Sequence, residues 1–109
     1  MVTPDIRKAV RNYIKVLNSR GFDVKFGVVW GSQVRGTSDQ LSDIDLVVVS
    51  PRFDRTIVRS DIDWLWQCAA RVDSRIEPIP CGEKQWEEDV SSVILESARS
   101  YGSRITPDA

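Results

Sequence analysis

The sequence of 109 residues contains no histidine. That absence excludes Ser-His-Asp and Cys-His catalysis and every metal site built on imidazole. Acid–base chemistry must come from carboxylates, lysine, tyrosine or water. Cysteine is scarce, and Cys68 and Cys81 form no Cys-x-x-Cys pair, which points to two reduced thiols rather than a zinc or redox centre. Net charge is nearly absent: 15 Lys and Arg against 16 Asp and Glu give −1. No general electrostatic attraction to nucleic acid is therefore expected. Long hydrophobic runs are missing too. The longest, Leu46 to Val49, falls far short of the roughly 20 residues of a membrane helix, and Met1 to Asp5 carries no apolar signal segment. The expectation is a soluble cytoplasmic protein without membrane contact.

What is present is an ordinary globular composition, 41% hydrophobic and 28% charged. The length suits one domain, residues 1–109, with one substantial core. A separate substrate domain would have to come from another chain.

Thr3-Pro4-Asp5 reads as a helix start, with a capping hydroxyl, proline in the first turn and an early acid. Ile6, Val10, Tyr13, Ile14 and Leu17 follow at helical spacing, and Gly21 closes the segment. Arg7, Lys8, Arg11 and Lys15 occupy the other surface, either as a solvated face or as a basic nucleic-acid face. Val24 to Trp30 reads as a strand, with Phe26, Val28 and Trp30 on one side and Val24 in phase with them. Ile44 to Val49 is a second strand, apolar enough for burial on both faces. Pro51 to Arg59 fits no regular element. Ser60 opens a helix through Trp64, Leu65, Trp66, Cys68 and Ala69, and Arg75 to Pro80 is a third strand, marked as an edge by Pro78 and Pro80. Two short helices follow, from Gly82 to Asp89 and from Ser91 to Tyr101. The second has Val90, Val93, Ile94 and Ala98 on one face, and Gly102 to Ile105 could form a last strand. This order predicts an α/β or α+β fold: a small, mixed, twisted sheet of three to four strands backed by helices.

The chemistry concentrates between Gly31 and Asp45. Alternation along a strand points Asp43 and Asp45 the same way, and two carboxylates on one face repel unless a cation offsets them. Oxygen ligands alone favour Mg²⁺ or Mn²⁺ over zinc. Gly31-Ser32, directly after a strand, would let the backbone approach a ligand closely. Helix N–H groups beginning at Ser32 would favour phosphate, with Arg35 one turn on as a second anion partner. Metal beside phosphate is what phosphoryl or nucleotidyl transfer requires. A third acid, Glu77, sits in the short apolar third strand, either completing the site or facing water at the sheet edge. Asp73 is the next candidate should Glu77 lie elsewhere.

Gly31-Ser32, Arg35-Gly36 and Ser42-Asp43-Ile44-Asp45-Leu46 together resemble the signature of the minimal nucleotidyltransferases, within the superfamily related to DNA polymerase β. The resemblance implies a nucleotidyltransferase fold. It implies that Gly31 and Ser32 hold the triphosphate of ATP, the substrate, and that Asp43 and Asp45 bind two Mg²⁺ ions. Glu77 would stand where the family's third acid ligates one metal and helps deprotonate the attacking hydroxyl; Asp is more frequent there. Trp30 replaces a more frequent Phe or Tyr, a difference expected to affect packing only. Such free-standing proteins resemble the antitoxins of toxin–antitoxin pairs, whose partners are helical HEPN-type ribonuclease toxins adenylylated on tyrosine. Alternatives are a small-molecule acceptor, with the pocket completed by another chain or a homo-oligomer, and neutralisation of a partner by binding alone.

Ser60-Asp61-Ile62-Asp63 nearly repeats Ser42-Asp43-Ile44-Asp45. No Gly-Ser precedes it and helical residues follow, so Ser60 with Asp63 reads as a variant capping box. Asp61→Ala is then expected to cost at most about 1 kcal/mol. Trp64, Trp66 and Trp86 read as core or interface residues before a base-stacking set.

Overall fold

The computed structural model describes residues 2–31 and 43–107. Helix α1 (Pro4–Ser19) leads into strands β1 (Phe26–Trp30) and β2 (Ile44–Val49), and a 3-10 turn (Pro51–Asp54) precedes helix α2 (Arg59–Val72). Strand β3 (Ile76–Cys81), helices α3 (Glu83–Glu88) and α4 (Val93–Tyr101), and strand β4 (Ser103–Ile105) complete the order. The sheet runs β3-β2-β1-β4. β1 pairs antiparallel with β2 and β4, while β2 and β3 are parallel, joined through α2. The sheet is thus mixed, with the proline-bearing β3 at one edge.

Strand alternation builds two cores. Val29, Ile44, Leu46, Val48, Ile76 and Ile105 face α1 and α2. Val28, Val47, Val49 and Cys81 face Trp86 of α3 and Leu95 and Ala98 of α4, with Phe26 and Trp30 packed at the border. Helix α1 follows its sequence pattern closely. The Thr3 hydroxyl accepts from Ile6 N, Pro4 opens the first turn, and Ile6, Val10, Tyr13, Ile14 and Leu17 are buried. Gly21, at φ +86°, turns the chain out of the helix. Tyr13 Oη donates to Leu65 O at 2.9 Å, fastening α1 to α2. Leu17→Ala would open a cavity here at a cost of about 2–5 kcal/mol. Of the basic residues opposite, Arg7 donates to the Ser103 hydroxyl and Arg11 to Thr106 O, so both hold the C-terminal strand.

Three readings change. Val24 joins the core under α1 rather than the Val28 side. The Asn18 side chain grips both backbone groups of Val24, and Asp23 has φ +52°, so the strand begins only at Phe26 and its alternation does not extend back. In α4 the buried residues are Leu95 and Ala98, whereas Val90, Val93 and Ile94 are exposed. Ser92 caps Leu95 N, and Arg99 donates to the Trp86 and Asp89 carbonyls, fixing a different helical phase. The 3-10 turn, illegible as a regular element, docks through side chains: Phe53 is buried, and the Asp54 carboxylate accepts from Lys84 N and Gln85 N. A Cβ on Gly82 would lie 1.9 Å from Asp54 Oδ1, so glycine is what lets that carboxylate reach the start of α3.

Cys68 and Cys81 are free and buried, and burial first, then the charge of Asp54, pushes the Cys81 thiol up to about 11. Among the described residues no helix is long and apolar enough to cross a membrane.

Candidate active site

A row of side chains crosses three strands near one end of the sheet. Trp30 stands opposite Asp45 in the antiparallel pair, and Asp45 stands beside Glu77 in the parallel pair. Asp43, two residues before Asp45, falls on the same side by alternation. This is the face whose other end is filled by Val47, Val49 and Cys81 under α3 and α4. Asp43 is exposed, and Asp45 and Glu77 are half-buried, so the row lies at the open border of that core.

The acids act on one another. Glu77 is held above the usual carboxylate range, first by burial, then by the charge of Asp43, then by a hydrogen bond its protonated form donates to Asp45 and by the charge of Asp45, with a smaller hydrogen bond to Asp43. Every contribution works in the same direction, as expected of carboxylates gathered at one place. Asp73, the fallback third acid, is engaged elsewhere: it caps α2, and its carboxylate accepts from Arg75 N, Nε and Nη2 at 2.7–3.0 Å.

Gly31 ends β1 beside this row. Its φ of +81° belongs to the left-handed region, and a Cβ there would lie 2.6 Å from Asp45 Oδ2. Glycine is needed on both counts. The expected role of Gly31 was room for phosphates; the structure adds that its bare backbone makes room for the Asp45 carboxylate itself. Ser32 and Arg35 lie outside the described residues, so the expected phosphate cradle has Gly31 alone within them.

The second Asp-x-Asp departs from its expected role. Helix α2 begins at Arg59 with Val58 as its cap residue, and no side chain caps it, so the Ser60–Asp63 box does not form. Asp61 is instead buried and accepts from Arg52 Nε at 3.1 Å and Nη2 at 2.9 Å. Arg52 in turn lies over the Phe22 ring, 4.6 Å from its centroid. Of the three tryptophans weighed as core or stacking residues, Trp86 is buried, while Trp64 and Trp66 are exposed, Trp64 beneath the Arg20 guanidinium.

Comparison with known proteins gives the family. Residues 8–101 match the nucleotidyltransferase domain. The chain belongs to that family. No curated protein sequence matches it. Three solved structures share the fold. A Sulfolobus solfataricus protein assigned as a nucleotidyltransferase is 18% identical, with a TM-score of 0.55 over 74% of this chain and 70% of that one. A toxin–antitoxin crystallised with AMP-PNP is 23% identical, with a TM-score of 0.60 over 86% of this chain and 70% of that one. A tyrosine-to-alanine mutant of the toxin–antitoxin MntA–HpeT is 23% identical, with a TM-score of 0.58 over 86% and 68%.

The donors of this nucleotidyltransferase domain suit a hard divalent cation. They are carboxylate oxygens alone, and their mutual repulsion is what such a cation would offset. Among the described residues no three acids or thiols close into a preformed metal cage.

Proposed function

We propose that this chain is a nucleotidyltransferase that moves AMP from ATP to a hydroxyl, most specifically to a tyrosine of a helical HEPN-type toxin partner. The observation that carries the transfer chemistry is the Asp45–Glu77 register, with Asp43 close enough to perturb Glu77 and Gly31 opening the end of β1. In this reading Asp43 and Asp45 hold two Mg²⁺ ions, which supply charge neutralisation at the triphosphate. Gly31, with Ser32 and Arg35 after it, receives the phosphates. The acceptor oxygen bonds to the α-phosphorus, the bond to the bridging oxygen breaks, and pyrophosphate leaves. Glu77 takes the hydroxyl proton, the role given by the family resemblance.

Two observations support a protein acceptor. Toxin–antitoxins appear among the structural neighbours, one crystallised with AMP-PNP. Val90, Val93, Ile94 and Tyr101 also leave α4 and the turn before it with exposed apolar side chains, a surface that suits protein contact. The test uses ATP labelled at the α- or the γ-phosphate, with Mg²⁺ and the partner protein. Nucleotidyl transfer puts the α label on the partner and releases the γ label in pyrophosphate. A γ-labelled partner would overturn the reaction type. Label appearing on a small molecule alone would move the acceptor.

A further inference from the structure

The row Trp30–Asp45–Glu77 contains a group that the transfer chemistry leaves unused. Among the described residues, Trp30 Nε1 is closed off from solvent and has no hydrogen-bond partner. A buried donor left unpaired costs about 1–3 kcal/mol, and a residue needed only for packing would avoid that cost as phenylalanine. Its place narrows what it could serve. Trp30 and Asp45 are directly opposed across the antiparallel pair, where side chains on one face start about 5 Å apart. The ring packs against the core cluster that contains Val28, Val47, Leu95 and Ala98. Asp45 Oδ2 leans toward Gly31, the residue after Trp30, so the carboxylate already lies over the end of β1.

We infer that Trp30 is a positioning residue: when the acids are loaded with Mg²⁺ and nucleotide, its indole N–H donates a hydrogen bond to the Asp45 carboxylate and fixes its orientation. The inference rests on the metal-binding reading of Asp45 given above. Carboxylates that ligate a metal are commonly held by such a second donor, whose loss costs roughly 10–100-fold in metal affinity or activity. In the unloaded chain the donor is spare, and the bond forms as the carboxylate turns to its ligand.

The test is the indole N–H region of a ¹⁵N–¹H spectrum. The chain has 4 tryptophans, so the Trp30 signal is assigned by its loss in Trp30→Phe. Adding Mg²⁺ with a non-hydrolysable ATP analogue should move that signal downfield and slow its exchange with water. Trp30→Phe should raise the half-saturating Mg²⁺ concentration about tenfold, with a smaller effect on nucleotide KM. Benzothienylalanine at position 30 keeps the bicyclic shape without the N–H and should reproduce that rise, which separates the hydrogen bond from packing. A Trp30 signal that stays put while the chain binds nucleotide overturns the inference alone, as does wild-type Mg²⁺ dependence in the benzothienyl variant. No nucleotide binding by the wild-type chain overturns the reading of the site and the inference with it.

Discussion

The same three residues, Asp-Ile-Asp, occur at positions 43–45 and 61–63, and the backbone gives them opposite uses. On β2, Ile44 is fully buried while the acids flank it on the other side of the sheet, facing Glu77. On α2, Ile62 is 38% exposed, Asp61 is buried against Arg52, and Asp63 reaches outward to Arg59 at 4.0 Å. A period near two gathers the carboxylates; a period of 3.6 separates them. The partners differ in the same sense. Asp61 and Asp73 are each matched to an arginine, whereas Asp45 and Glu77 meet another acid. Matched acids hold the fold together. Acids facing acids repel, which raises Glu77.

The strongest way to break this comparison is to neutralise one member of each pair. Asp43→Asn and Asp45→Asn should each lower AMP transfer by more than about a hundredfold, roughly 3 kcal/mol of transition-state stabilisation, with the fold retained. Asp61→Asn should leave the rate per folded molecule unchanged. Label transfer and thermal unfolding measured on all three variants decide it. Near-wild-type transfer by both strand variants would show that these acids are not the catalytic ones.

Gly31 tests how tightly the β2 acids depend on their surroundings. Gly31→Val should weaken nucleotide binding about tenfold or more, ~1.4 kcal/mol, because the added side chain displaces the Asp45 carboxylate and the positive φ disfavours it. Gly31→Ala should fall in between. Calorimetric titration with Mg²⁺ and nucleotide reads the effect; unchanged affinity in Gly31→Val would show that Asp45 does not rest against this glycine when loaded.

On the helical copy the expected losses are in stability. Arg52→Ala strands the buried Asp61 carboxylate and should cost about 3 kcal/mol. Asp61→Ala should cost less, about 1–2 kcal/mol, since the Arg52 side chain is 42% exposed and can turn to water. That exceeds the 1 kcal/mol ceiling expected of a helix cap, because the acid bridges 9 residues of chain rather than its own first turn. Denaturant titration ranks the two variants. Equal losses would mean that Asp61 is effectively solvated.

Much of this was legible in the residues themselves. The five buried side chains of α1 follow from spacing, the doubly buried β2 from its apolar run, and the edge position of β3 from Pro78 and Pro80. The pairing of Asp45 with Glu77 needs the parallel adjacency of β2 and β3, which alternation within one strand does not supply. What escaped depends on partners far along the chain. Nothing local says that Asp54 caps a helix 30 residues on, or that Arg52 reaches Asp61. The phase of α4 was ambiguous because Val93, Ile94 and Leu95 offer overlapping apolar faces, and Ser92 with Arg99 selects among them. An unpaired indole N–H such as that of Trp30 has no sequence signature; only three-dimensional accounting finds it.

The smallest expected effect concerns the other arginine-matched acid. Hydrogen bonds from the Arg75 side chain, opposed by burial and assisted by its backbone N–H and charge, hold the Asp73 carboxyl below the usual range. Folding therefore disfavours its protonation. The stability this supplies is complete above the unfolded aspartate value of about 3.9, and it is lost as the pH falls through the lower folded value. Asp73→Asn should accordingly be about 1 kcal/mol less stable than wild type at pH 7, a figure set by one well-shielded local pair with side chains 17% and 28% exposed. The two proteins should draw together as the pH falls through that lower value, because the wild-type carboxyl then becomes protonated and loses the same attraction. Urea unfolding at pH 7 and across the acid range reads the difference. A gap that keeps its full size throughout the acid range would mean that Asp73 acts through its geometry at the end of α2 and not through its charge, and the contrast between matched and facing acids would then rest on Asp61 alone.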